Sequence, residues 1–107
     1  MRALVFEGPG LIAVTDRREP GVIDGGDVIV RVTRAGLCGS DLHPYLGREP
    51  MSRGTVPGHE AVGVVEAVGP DISGLHPGHR VIVPFTTSCG GCDPCTRGLT
   101  SRCERGD

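Results

Sequence analysis

Four cysteines lie close together near the end of the sequence, in the stretch CGGCDPCTRGLTSRC. Their spacing is C-x2-C-x2-C-x7-C. This spacing suits one metal ion, because paired cysteines converge on an ion from a tight turn and Zn²⁺ takes four thiolates in a tetrahedron at roughly 2.3 Å. Such a closed site is structural, since it orders a loop that has few apolar residues of its own. The predicted ligands are Cys89, Cys92, Cys95 and Cys103. We call residues 88–104 the cysteine lobe.

Three other chemistries compete for the same cysteines. Two disulfides would use all four, but a reducing compartment disfavours them. An iron–sulfur cluster is the sharper rival, because a bacterial ferredoxin run also begins C-x2-C-x2-C. That run has its fourth cysteine after three residues and before Pro, whereas here the gap is seven residues and Cys103 precedes Glu104. Four exposed free thiols would invite oxidation. The pattern therefore favours a metal, with zinc ahead of a cluster.

A second group of reactive side chains is divided between two motifs. CGSDLH occupies residues 38–43, and GHEAVG occupies residues 58–63. Taken alone, Cys38 would more often be a small buried apolar residue, and His43 or His59 would more often be structural or exposed than a ligand. The combination of both motifs, in this order and followed by the cysteine lobe, is far more specific than any single member.

Five short β-strands are predicted to position these motifs. Apolar alternation bounded by turn residues places them at 3–6, 11–14, 27–36, 59–69 and 80–84. In the fourth strand Val62, Val64 and Val68 share one face, and Gly63 predicts a bulge or a close backbone approach. Several short strands at this spacing are typical of a small barrel or sandwich. The predicted fold class is mainly β.

Helix signals are weak. They predict at most a turn or two near residues 40–46, with Ser40 as the N-cap. GPGLIA, residues 8–13, fits the dinucleotide fingerprint G-x-G-x-x-A, but that loop must open a helix that binds the pyrophosphate. Here Pro9 stands inside the loop and a β-like run follows, so a hairpin turn is predicted and no nucleotide-binding domain is expected within these residues.

Bulk composition narrows the possible partners. The chain has 107 residues and a net charge of −2, which gives no electrostatic reason to expect nucleic acid or an anionic membrane. All eleven cationic residues are Arg, so the chain contains no Schiff-base lysine. No run approaches the roughly 18 apolar residues of a membrane span, and no signal peptide is recognised. A cytoplasmic location is expected.

Both motifs and the lobe resemble the zinc-dependent alcohol dehydrogenases of the medium-chain dehydrogenase/reductase superfamily. GHEAVGVVEAVGPDI, residues 58–72, fits the zinc signature G-H-E-x2-G-x5-G-x2-I at every fixed position. The cysteine lobe matches the family's structural zinc site. The resemblance covers essentially the whole chain and implies the N-terminal part of a GroES-like catalytic domain, a partly open β-barrel with a four-cysteine zinc lobe.

The resemblance also implies a role for each residue of the two motifs. Cys38 and His59 are similar to ligands of the family's catalytic zinc, with Glu60 as the adjacent carboxylate. Asp41 would fix the tautomer of His59. Ser40 resembles the hydroxyl that takes the proton of the alcohol, and His43 resembles the residue that passes it towards solvent. On the residues alone, Asp41 could instead cap a turn and Glu60 could be a paired structural carboxylate.

The family pattern continues beyond these residues. Its third protein ligand to the catalytic zinc, its Rossmann domain and its closing strands would follow residue 107. We therefore predict that 1–107 is an N-terminal fragment that does not oxidise alcohols by itself. In the full-length parent the resemblance implies a small-molecule alcohol substrate, NAD or NADP, and a homodimer or homotetramer. A self-contained zinc-binding β module without catalysis is the alternative.

Overall fold

The first two strands form the predicted hairpin. A computed structural model describes residues 1–106, in which β1 spans Arg2–Gly8 and β2 spans Leu11–Asp16. The strands pair antiparallel as a two-stranded sheet. Gly10 in the turn has φ +73°, a left-handed conformation that favours glycine. A strand rather than a helix follows the GPGLIA loop, so the hairpin prediction is confirmed.

Three further strands form a second antiparallel sheet. They are β3 (Val28–Ala35), β4 (Ala61–Val68) and β5 (Arg80–Val83), in the order β3-β4-β5. The register shifts between Val32 and Arg34 opposite Gly63, where β3 carries one extra residue. A Cβ on Gly63 would lie 2.6 Å from the carbonyl oxygen of Arg31, so the predicted close approach at this glycine is confirmed.

The buried face of β4 is the opposite of the valine face seen in the sequence. Val65 is 1% exposed and Gly63 is buried, whereas Val62 is exposed. In this part of β4 the odd-numbered residues therefore face the core. Glu66 lies on the outer face, where it forms an ion pair of 3.1 Å with Arg31.

Short helical turns follow the strands. A 3₁₀ turn at Gly39–Asp41 leads into α1 (Leu42–Tyr45), which agrees with the prediction near 40–46. The predicted N-cap is wrong: Cys38 precedes the turn, and Ser40 lies inside it. The cysteine lobe contains a helical element that was not predicted, α2 (Asp93–Thr96), and a second 3₁₀ turn at Thr100–Arg102. No helix in residues 1–106 is long and apolar enough to cross a membrane.

The core is small, and it is built mainly from the strands. The buried apolar side chains are Ala3, Val5, Phe6, Val65, Cys92 and Cys95. A segment of the long loop between α1 and β4 joins the hairpin, since Phe6 and residues 54–55 exchange two backbone hydrogen bonds of 2.8 Å. The mainly β prediction is confirmed, and the strands divide between two sheets. Asp107, the last residue of the predicted domain, lies outside the described residues.

Candidate metal centres

The cysteine lobe brings its four sulfur atoms together. All four lie within 4.8 Å of one another. Cys92 occupies the position before α2, Cys95 lies within that helix, and Cys103 follows the second 3₁₀ turn. Four sulfurs at 2.3 Å from one ion in a tetrahedron would be about 3.8 Å apart, so small shifts complete the geometry. The residues present therefore fit a four-thiolate zinc site.

Backbone amides favour the ionised form of two of these thiols. Hydrogen bonds from the backbone of Gly91 and Cys92 lower the pKa of Cys89 to about 6. The amides of Cys89 and Arg105, each 3.3 Å from the sulfur of Cys103, lower the pKa of that thiol as well. Donors directed at sulfur stabilise thiolate, which is the form that binds metal. Burial acts in the opposite direction on Cys95 and raises its pKa to about 12.

A second cluster forms where β3 ends and β4 begins. One ligating atom from each of Cys38, His59 and Glu60 lies within 4.8 Å of the others. Because β3 and β4 run antiparallel, with Ala35 opposite Ala61, the residues after one strand meet the residues before the next. We call Cys38, His59 and Glu60 the strand-end cluster.

Asp41 orients Cys38 and His59, two of the three residues of the strand-end cluster. Its Oδ2 accepts the backbone N–H of Cys38 at 2.9 Å, and its Oδ1 lies 3.4 Å from Nδ1 of His59. The other imidazole nitrogen, Nε2, is buried and has no hydrogen-bond partner within residues 1–106. A buried polar atom without a partner is costly, and a metal ion would satisfy it. The arrangement fits a neutral imidazole ligand whose second nitrogen is held by a carboxylate.

The thiol and the imidazole also influence each other. Hydrogen bonding with Ser40 lowers the pKa of the Cys38 thiol, and His59 adds to the effect. The Cys38 side chain raises the pKa of His59, against the opposing effect of burial. The first shift favours the thiolate of Cys38, which is the form that binds metal, whereas the second shift opposes metal binding, because an imidazole must be neutral to act as a ligand.

The predicted proton-transfer residues have different surroundings. Ser40 is exposed and lies beside the sulfur of Cys38. His43 is half-buried in α1, and its carbonyl accepts the N–H of Arg48 at 2.8 Å. The structure thus places the hydroxyl at the strand-end cluster. The relay role of His43 stays a prediction.

Two neighbours of the strand-end cluster were missed in the sequence. The ring of Phe85 packs edge-on against His59, with 5.0 Å between ring centroids, and Phe85 is 66% exposed. Gly36 lies against the carboxylate of Glu60. The sequence did offer a signal for Phe85, since it is one of only two Phe and directly follows Pro84 at the end of β5. Nothing in the spacing of Gly36 pointed to the contact.

Comparison with known proteins agrees with the geometry. The family model described as alcohol dehydrogenase GroES-like domain matches residues 24–107, and the chain belongs to this family. Zinc-type alcohol dehydrogenase B of Aspergillus flavus is 48% identical over 105 residues, which are 98% of this chain and 24% of that protein. The relatives are zinc-type alcohol dehydrogenases, so the resemblance to that family is confirmed.

Solved structures give the same picture. Alcohol dehydrogenase TADH from Thermus sp. ATN1 matches with a TM-score of 0.90 and 49% identity, over 99% of this chain and 31% of that chain. The alcohol dehydrogenase RspB from Escherichia coli CFT073, complexed with NADH, matches with a TM-score of 0.72 and 36% identity, over 100% of this chain and 31% of that chain. The chain thus spans about a quarter to a third of the length of these proteins.

Proposed function

We propose that this chain supplies the zinc-binding half of an active site that oxidises an alcohol to an aldehyde or ketone with NAD or NADP. The observation that carries the proposal is the buried, partnerless Nε2 of His59 beside the thiol of Cys38, with Asp41 behind the ring. Relatives named as zinc-type alcohol dehydrogenases supply the substrate class.

The residues of the strand-end cluster have distinct tasks in this proposal. Cys38 and His59 hold the ion, and Glu60 provides a nearby carboxylate. A zinc ion held there would act as a Lewis acid that lowers the pKa of the alcohol hydroxyl, and a bound nicotinamide would accept the hydride. Ser40 takes the hydroxyl proton, and His43 passes it towards solvent. Three protein ligands would leave a fourth position for substrate, as catalytic zinc sites require.

The cysteine lobe has a structural task in the same proposal. Its four thiols leave no open position for substrate, so a zinc ion there would brace the lobe. All five cysteines are free thiols in the structure. Metal-binding thiols of this kind persist in a reducing compartment, which supports a cytoplasmic location.

The remainder of the reaction depends on parts found in longer relatives. The GPGLIA loop opens β2 rather than a helix, so residues 8–13 lack the helix N-terminus that binds a pyrophosphate. We therefore propose that NAD or NADP binds outside these residues and that the 107-residue chain alone does not turn over alcohols. The full enzyme would act on a small-molecule alcohol as a homodimer or homotetramer, without nucleic acid or membrane partners.

Metal stoichiometry tests the proposal. The chain should bind two zinc ions, and Cys38→Ala or His59→Ala should each remove one while the other stays. His76→Ala is the matched control, because His76 is exposed and belongs to neither cluster, and this variant should still bind two zinc ions. A wild-type chain that binds only one zinc ion, and that still binds it in Cys38→Ala, would contradict the catalytic half-site and favour a purely structural zinc module. Iron in place of zinc would favour a cluster.

Turnover gives a second test. The chain, mixed with NAD or NADP and a panel of primary, secondary and polyol alcohols, should show no reduced cofactor above background. Robust turnover would contradict the proposed dependence on residues outside this chain.

A further inference from the structure

We infer that Gly36 is a positioning residue: its missing side chain creates the space in which the Glu60 carboxylate lies beside Cys38 and His59. The inference rests on the proposed function of the strand-end cluster and adds a residue that neither motif contains. Gly36 precedes CGSDLH by two residues and directly follows β3.

The space at Gly36 is already filled by Glu60. A Cβ built on Gly36 would lie 2.5 Å from Oε2 of Glu60 and 3.2 Å from its Cβ. Real Cβ atoms do not approach other heavy atoms below 3.0 Å, so any larger residue must displace something. The carboxylate oxygen is the atom most affected.

The backbones of Gly36 and Glu60 cannot move apart to relieve this contact without breaking a hydrogen bond at the end of the sheet. The N–H of Gly36 donates to the carbonyl oxygen of Glu60 at 2.9 Å, directly beyond the pair Ala35 and Ala61. The side chain of Glu60 is exposed and can rotate away into solvent. A methyl group at position 36 would therefore push out the carboxylate and leave the strands paired.

Backbone conformation gives no other reason for glycine here. Gly36 is not among the glycines with positive φ, so alanine can adopt its backbone geometry. A substitution at this position therefore tests the space alone. Positions such as Gly58, with φ +112°, would mix backbone strain with any loss of space.

Displacing the carboxylate should weaken metal binding at the strand-end cluster. A carboxylate near a divalent ion adds favourable charge, and loss of such a supporting group typically costs about 10–100-fold in metal affinity. The free energy of unfolding should change little, because the carboxylate is exposed and the strand pairing is retained. The two readouts separate a positioning role from a structural one.

Cobalt titration of the whole 107-residue chain tests the inference. The protein is first loaded with one equivalent of Zn²⁺, and Co²⁺ binding is then followed by its thiolate absorption. The signal lost in Cys38→Ala identifies the strand-end cluster. Gly36→Ala should weaken that binding by about 10–100-fold. Gly21→Ala is the matched control, since a Cβ there meets nothing within 4 Å, and it should bind like the wild type.

A double-mutant cycle gives the decisive result. Glu60→Ala alone should weaken Co²⁺ binding to a similar extent, and Gly36→Ala added to Glu60→Ala should cause no further loss, because the displaced group is already gone. Additive losses, or unchanged affinity in Gly36→Ala, would overturn the inference and leave the proposed function standing. Wild-type protein without a Co²⁺ signal sensitive to Cys38→Ala would overturn both.

Discussion

The two candidate metal centres are assembled in opposite ways. The cysteine lobe takes all its ligands from residues 89–103, joined by local turns, and its buried side chains among the described residues are Cys92 and Cys95. The strand-end cluster takes Cys38 and His59 from sequence positions far apart, and the pairing of β3 with β4 brings them together. One site therefore needs its ion to become ordered, whereas the other is preformed by the sheet.

Metal removal should produce the largest difference between the two centres. Structural Zn²⁺ contributes about 10–16 kcal/mol of apparent binding free energy in small zinc-finger peptides, so the cysteine lobe should lose its order on chelation. Trypsin should then cut rapidly after Arg97 and Arg102, which are exposed in the lobe, while Arg31 in β3 stays protected.

The control for this experiment is the same digestion with excess Zn²⁺ restored. Equal cleavage in the lobe with and without metal would contradict its dependence on an ion. Simultaneous cleavage at Arg31 would show that the sheet, and with it the strand-end cluster, is not preformed.

The difference in assembly also explains why the sequence predicted the cysteine lobe more completely than the strand-end cluster. Ligands at C-x2-C-x2-C-x7-C are fixed by local turns, so spacing alone predicts that their sulfurs converge. Cys38 and His59 meet only through the register of β3 and β4, which no local pattern specifies, and the family resemblance was needed to pair them. Gly36 went unnoticed because its contact depends on that same register, and the contact of Phe85 depends on the register of β4 and β5.

The strands show the same limit. Alternation and turn residues located all five, but the face shared by Val62, Val64 and Val68 is not the buried face of β4. Alternation separates the two faces of a strand, but it does not say which face packs inward, and in β4 the buried residues are Gly63 and Val65.

Thiol reactivity in metal-free protein should show how much of its structure the lobe keeps without an ion. Cys89 has a pKa of about 6 and is exposed, whereas burial raises the pKa of Cys95 to about 12. With that structure intact, iodoacetamide at pH 7 would modify Cys89 more than about 100-fold faster than Cys95, whereas loss of order on chelation should bring the two rates close together.

Peptide mapping after a short pulse measures this order. Added Zn²⁺ should protect both cysteines. A rate at Cys89 that stays more than about 100-fold above the rate at Cys95 would show that the amides of Gly91 and Cys92 hold the thiolate, and with it the lobe, in place without metal.

Asp41→Ala should affect the strand-end cluster alone. The substitution removes the acceptor for the Cys38 N–H and the carboxylate beside Nδ1 of His59, so both ligands lose their orientation. We expect a loss of about 10–100-fold in Co²⁺ affinity at this cluster and no change at the lobe. Asp16→Ala, at the end of β2, is the control. A loss at both centres would show that Asp41 supports the fold rather than the site.

The smallest expected effect concerns the loop that leads from α1 to His59. Arg53 lies 2.6 Å from Glu7 on β1, and the Arg53 side chain is 80% exposed. Exposed ion pairs contribute about 0–1 kcal/mol, so Arg53→Ala should lower the free energy of unfolding by no more than about 1 kcal/mol. Backbone bonds between Phe6 and residues 54–55 still hold the loop, and metal binding at His59 should therefore be unchanged.

Urea unfolding and Co²⁺ titration, with Arg18→Ala as the control, measure both quantities. A clear loss of Co²⁺ affinity would show that the strand-end cluster depends on the hairpin as well as on β3 and β4. The cluster would then need more of the fold than the cysteine lobe, which takes its ligands from one local segment.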